Sequence, residues 1–210
     1  MTSMRACIAA AIVAGPQALA CGRGGDRLPP IPLEKYTAAQ KAAVREFLTD
    51  RQRPIFGPFV PLLRSPDLML AAKEMGDSLR FKSVLPERIT ELAILVVCRE
   101  WTQQVEWQMH YPLATKAGLR REIGEAIADG RRPVDMAPDE QAAYDLSTEV
   151  LRNKRVSDDT YRRAVAVFGE QGVVELLGLN GYYVFLAAVM NGARTAPPDP
   201  TLEPLRRFPD

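Results

Sequence analysis

"PERITELAILVVCREW", residues 86–101, is the stretch on which the reading of the fold turns. Pro86 opens it where a helix tolerates proline, in the first turn whose N–H groups have no partner. From Leu92 to Cys98 every residue is apolar, without alternation. A helix carrying such a run is buried on most of its circumference, so other elements must surround it. Glu91 stands at the edge of the run. Its carboxylate has to be solvated, paired or hydrogen-bonded, because an isolated buried charge is costly. Arg88, three residues earlier, is the partner its own helix offers, and a plain Arg88–Glu91 ion pair is the simplest expectation.

Outward from this helix the chain reads as further helices. Thr37 and Gln40 form a capping box for one that ends near Leu48. "DRQRPIFGPFVPLLRSP", residues 50–66, is too rich in proline for a continuous helix. Its Phe56, Phe59, Val60, Leu62 and Leu63 predict an irregular segment packed over the core, either a functional loop or a simple lid. Ser65 and Pro66 start a helix that runs to Phe81. After a short break, "QQVEWQMHYPLATKAGL" (103–119) makes a helix that passes Pro112 and stops at Gly118. Others span 121–129, 138–153, 158–168 and 173–191, with Ser157 and Gly172 as punctuation. No segment alternates as a half-buried strand does. The expected fold class is all-α: a single-domain helical bundle over 37–194, after a Gly- and Pro-rich arm (21–36) and before a proline-rich tail (195–210).

A chain of 210 residues buries a substantial core and most simply makes one domain. Its net charge is +1 and no stretch gathers basic residues with aromatics, which argues against nucleic acid as a partner. The first twenty residues differ from the rest. Arg5, the apolar "ACIAAAIVAG" and Ala18-Leu19-Ala20 read in order as a secretory signal cleaved after Ala20, implying a periplasmic or secreted protein. A lipoprotein anchored at Cys21 is the alternative, and a start codon placed too early would leave the protein cytoplasmic. Beyond that segment no apolar run reaches the roughly 20 residues that span a bilayer. Cys7, Cys21 and Cys98 form neither a C-x-x-C pair nor a metal-ligand spacing, so no disulfide framework and no metal site are expected.

His110 is the only histidine in the chain. Glu106 and Gln103 precede it by four and seven residues, on one helical stripe. Glu106 in that position holds the imidazole in one tautomer and raises its basicity, leaving the far nitrogen to move a proton. The same spacing fits an ordinary Glu–His surface pair.

"LPERITELAIL" followed by "EWQMHYPLATKAGL" looks like the carboxymuconolactone decarboxylase family, which also contains the alkyl hydroperoxidase D-like proteins. The resemblance covers about residues 60–192 and is densest at 86–119. In alkyl hydroperoxidase D-like members a glutamate is followed, after a buried helix, by Cys-x-x-Cys-x-x-x-His. Setting His110 on that histidine places Glu106 and Gln103 on the two cysteines and Glu91 on the glutamate, with no gap. Both redox cysteines are absent here, and a dithiol peroxidase needs a low-pKa thiolate and a resolving thiol. The resemblance therefore implies the decarboxylase side: a cofactor-free acid–base enzyme acting on a small carboxylated lactone or keto acid. His110 transfers the proton in this reading, Glu106 orients it, and Glu91 pairs with it or relays to it. Arg88 and Gln103 are candidate substrate contacts, and Trp107, Phe56 and Phe59 candidate pocket walls or plain core. The rivals are a peroxidase or redox protein of the alkyl hydroperoxidase D-like group and a non-catalytic binding protein that keeps the fold. The resemblance also implies a homo-oligomer, in keeping with the apolar surplus of the helix at 173–191.

Overall fold

The computed structural model describes residues 25–208, so the expected secretory signal (1–20) and Cys21 lie outside the described residues. The described chain folds into eight α-helices: α1 (Ala38–Arg51), α2 (Phe59–Leu62), α3 (Pro66–Phe81), α4 (Glu87–Glu100), α5 (Gln104–Lys116), α6 (Arg121–Ala128), α7 (Pro138–Asn153) and α8 (Asp158–Ala193). A 3₁₀ turn at Leu33–Lys35 precedes them, and no strand occurs among the described residues.

The apolar run does what its composition demands. Every residue from Ile89 to Arg99 is buried, and α4 packs against α5, α6, α7 and α8 as the central rod of the bundle. Each fully buried leucine or isoleucine there contributes about 1.5–3 kcal/mol relative to exposure. The second layer forms where α7 lies along α8 and α3 lies between α1 and α8.

Several helix ends follow local chemistry. The Thr37–Gln40 capping box is complete, and Gln40 Nε2 also donates to the carbonyl of Leu63, tying the segment after α2 to α1. Ser65 precedes α3 without a side-chain cap, so Pro66 alone marks that start. The irregular segment contains one helical turn, α2, whose Phe59 and Leu62 are buried with Leu63.

The break expected after Phe168 falls at Gly169, whose φ of 69° and ψ of 172° interrupt α8. Only glycine takes that backbone without strain. α8 is therefore two helical segments that meet at this kink, the second reaching Ala193. Its second half is longer and more apolar than the expected absence of a membrane-length run allowed for. By length and composition α8 could cross a bilayer, yet half of its most apolar stretch is buried inside this bundle.

The tail beyond α8 is docked. Gln108 exchanges two hydrogen bonds with the backbone of Asp199, Gln104 Oε1 accepts from the N–H of Leu205, and Thr102 Oγ1 accepts from that of Phe208. These contacts run along the outer side of α5.

Candidate active site

α4 and α5 are joined by a tight corner at Trp101–Gln103, where Thr102 adopts a φ of 46°. Gln103 ends the corner by accepting the N–H of Val105 at 2.7 Å, the N-cap contact of α5. Its Nε2 donates to Asn191 on α8 at 2.7 Å. The side chain placed on the first cysteine position is therefore a cap and a tether, with both ends occupied.

The corner sets Glu91 on α4 opposite His110 on α5. Glu91 Oε2 lies 2.6 Å from His110 Nδ1, and Glu106 Oε2 lies 3.2 Å from His110 Nε2. Tyr183 from α8 brings its hydroxyl to 3.2 Å from the same Nε2, with its ring edge-on to the imidazole. Arg80, at the end of α3, bonds the other oxygen of Glu91 at 3.1 Å. Five polar side chains from four helices thus converge in the core.

Protonation is settled by competing effects. Burial pushes the imidazole toward its neutral form, but hydrogen bonds to Glu106 and Glu91 and their charges outweigh it, so the His110 pKa lies above its ordinary 6.5. Burial likewise pulls Glu91 upward. The His110 contact and then Arg80 overcome it, and its pKa falls below 4.5. Burial carries the Tyr183 hydroxyl well above its usual range, keeping it a neutral partner.

The two carboxylates sit on opposite sides of the ring: Glu91, at the shorter distance, meets Nδ1, and Glu106 meets Nε2. The Nε2–Glu106 contact is attractive when that ring nitrogen carries a proton. Arg88 does not pair with Glu91. It bonds Asp139 at 2.6 Å and Glu140 on α7, because its position on α4 faces α7 while Glu91 faces α3 and α5. Phe56 and Phe59 pack with Phe47 in an aromatic cluster beneath the Arg51 and Arg53 guanidiniums. Trp107 stacks on Tyr111, centroids 5.5 Å apart. None of these three aromatic rings touches the imidazole through a ring contact; Tyr183 does.

Spacing alone singles out neither Arg80 nor Tyr183. Arg80 follows Met69, Lys73 and Gly76 along the buried stripe of α3, and a charge on such a stripe was the available signal. Tyr183 sits in the same way between Leu179 and Leu186 on α8.

A cleft of about 880 Å³ opens at the α4–α5 corner, lined among others by Trp101, Gln103, Asn191 and Phe208. His110 is not among its walls: at 2 % exposure it is closed within the bundle. Among the described residues no three His, Cys, Asp or Glu side chains are arranged to hold a metal ion. Cys98 is the one free cysteine described, and burial holds its thiol well above the usual range.

Two solved structures share this arrangement of helices. One is an uncharacterized peroxidase-related protein from Ralstonia eutropha, described as an alkylhydroperoxidase AhpD core. It superposes with a TM-score of 0.69 over 83% of this chain and 93% of its own, at 15% identity. The fold is that of the AhpD core. The other is a protein of unknown function from Agrobacterium tumefaciens, suggested to be the antioxidant defence protein AhpD; its TM-score is 0.59 over 66% of this chain and 95% of that one, at 16% identity. No protein-family model and no curated protein matches the sequence. The AhpD-like fold thus accounts for the helical frame.

Proposed function

We propose that the chain is an acid–base enzyme, working without a bound cofactor, that moves a proton with His110 on a small carboxylated lactone or keto acid. The observation that carries this is one imidazole gripped at both nitrogens by carboxylates inside a closed core. A buried cluster of this kind is expensive to build, and perturbed titratable groups gather where chemistry needs them.

In a decarboxylation, the carbon–carboxylate bond breaks and its electron pair is delocalised into the conjugated lactone carbonyl as a dienolate. His110 Nε2 then delivers a proton to carbon, Glu91 holds the ring through Nδ1, and solvent restores the proton through Glu106. In a simple double-bond shift, the Glu106 carboxylate takes one proton and the His110 imidazolium returns one elsewhere. Either route needs the cover over His110 to move. The test is incubation of the protein with unsaturated carboxylated lactones in D₂O. CO₂ release with one deuterium entering the product, or deuterium exchange without loss of CO₂, is the expected outcome. Neither event across such a panel would end the proposal.

A second reading is a peroxidase-related activity, favoured by the description of the Ralstonia eutropha structure. It requires a thiolate, and the single described thiol is buried with its ionisation suppressed. The acid–base reading needs no group that the site lacks.

A further inference from the structure

We propose that Arg80 is the substrate-anchoring residue of this site, taking a ligand carboxylate on its guanidinium at the one edge where the buried cluster nears the surface. The inference rests on the acid–base reading above and adds the direction of approach and the group that selects the substrate.

Among the charged members of the cluster, Arg80 alone reaches solvent: its side chain is 18% exposed, against 2–4% for Glu91, His110 and Glu106. Its Nη2 bonds Glu91, while its Nε is buried with no hydrogen-bond partner among the described residues. An orphaned donor on a cation is costly to keep, and a carboxylate fork satisfies two guanidinium donors at once. Glu91 receives Arg80 on one oxygen and His110 on the other, so a ligand held by Arg80 stands one carboxylate away from the imidazole.

The cover at this edge is thin. Phe81 is 63% exposed and its ring lies 5.0 Å from the Arg80 guanidinium carbon and 5.7 Å from that of Arg51. A ring already so much in water costs little to displace. Arg88, the cation that sequence spacing offers for this role, is occupied by Asp139 and Glu140 and cannot serve without abandoning them. A cation bonded to a departing carboxylate would oppose its loss as CO₂, since that interaction weakens toward the transition state. Arg80 therefore holds a carboxylate that the product keeps.

The sole histidine provides the readout. The single His110 imidazole signal of the full chain, labelled with ¹⁵N, is followed while 5-oxo-oxolane-3-carboxylate or uncharged γ-butyrolactone is added. The carboxylate should shift it saturably, and the uncharged lactone should bind roughly 10–100-fold more weakly. Arg80→Gln should remove that preference by weakening the carboxylate alone, and Arg80→Lys, which keeps charge without the fork, should retain part of it. If Arg80→Gln does not fold, the Arg80→Lys preference decides alone. The proposal is overturned by a wild type that does not prefer the carboxylate, or by variants that keep the full preference or lose both ligands equally. Binding is read without turnover, so an inert wild type that still shows the Arg80-dependent preference would sink the acid–base reading and leave this site standing.

Discussion

Glu91 and His110 stand 19 positions apart in the chain and 2.6 Å apart in space, across the seam between α4 and α5. The contact belongs to a closed charge set. Arg80 and a protonated His110 supply two positive charges, and Glu91 and Glu106 two negative ones when ionised. With both carboxylates ionised, the set is neutral when the imidazole carries its second proton. Losing that proton would then leave a net negative charge in a low-dielectric interior, which favours the cation in line with the raised pKa of His110.

Replacing the imidazole should stop proton transfer while leaving the bundle intact. Positioned acid–base groups contribute about 10²–10⁴-fold in rate, and His110→Gln should lose activity on that scale. Glu91→Gln should cost more than Glu106→Gln, because Glu91 makes the shorter bond and links His110 to Arg80. Turnover of a carboxylated lactone, with circular dichroism as the control for folding, checks the order. Equal activity of wild type and His110→Gln would contradict the mechanism.

Stability should depend on pH through the same pair, with opposite signs on its two sides. The pKa of His110 is raised in the fold, so its contribution is complete below 6.5 and is lost as pH rises through the higher folded value. That of Glu91 is depressed, so its contribution is complete above 4.5 and is lost as pH falls through the lower folded value. The pair is therefore fully effective between pH 4.5 and 6.5. The difference in Tm between wild type and His110→Gln should be greatest in that window and shrink on both sides. A difference that grows from pH 6.5 upward would reverse the sign assigned to His110.

Cys98→Ser should leave genuine activity largely unchanged. The thiol is buried in α4 and its ionisation is suppressed, so the substitution should cost packing alone. Loss of a peroxide-reducing activity in a folded Cys98→Ser variant would transfer the assignment to thiol chemistry.

Gly76→Ala should destabilise the protein by about 1–3 kcal/mol, the usual penalty of overpacking. A methyl group at Gly76 would sit 2.4 Å from the Tyr182 hydroxyl, and Tyr182 is itself buried beside Tyr183. Urea unfolding measures the effect. A change below about 0.5 kcal/mol would show that Tyr182 shifts freely.

We further propose that the chain self-associates through α8. Val174 is 67% exposed, and Gly181 and Ala188 continue an uncharged, exposed line beyond it. Sedimentation at micromolar concentration should show a species larger than a monomer; a monomer alone would count against this surface.

The helical frame was legible because its signals are local. An uninterrupted apolar run, a Thr–Gln capping box and a proline at a first turn each act within a few residues. The alignment of Glu91, Glu106 and His110 was also open to reading, since helical spacing and a resemblance fixed their order. The partners of Arg88 were not. Its neighbour Glu91 was available one turn away, but side chains on one helix can face different neighbours, and spacing alone says nothing of which helix arrives at each face. Arg80 and Tyr183 join the cluster from α3 and α8, which only packing brings to α4 and α5.

The docked tail ties the far end of the chain to the helix that carries Glu106 and His110. Gln104 and Gln108 alternate with those two residues along α5, so one side of the helix holds the imidazole's partner while another holds the backbone of residues 199 and 205. The helix is clamped like a plank between a bench and a strap. The segment at 199–205, distant in sequence from Glu106 and His110, thus lies against the helix that carries them.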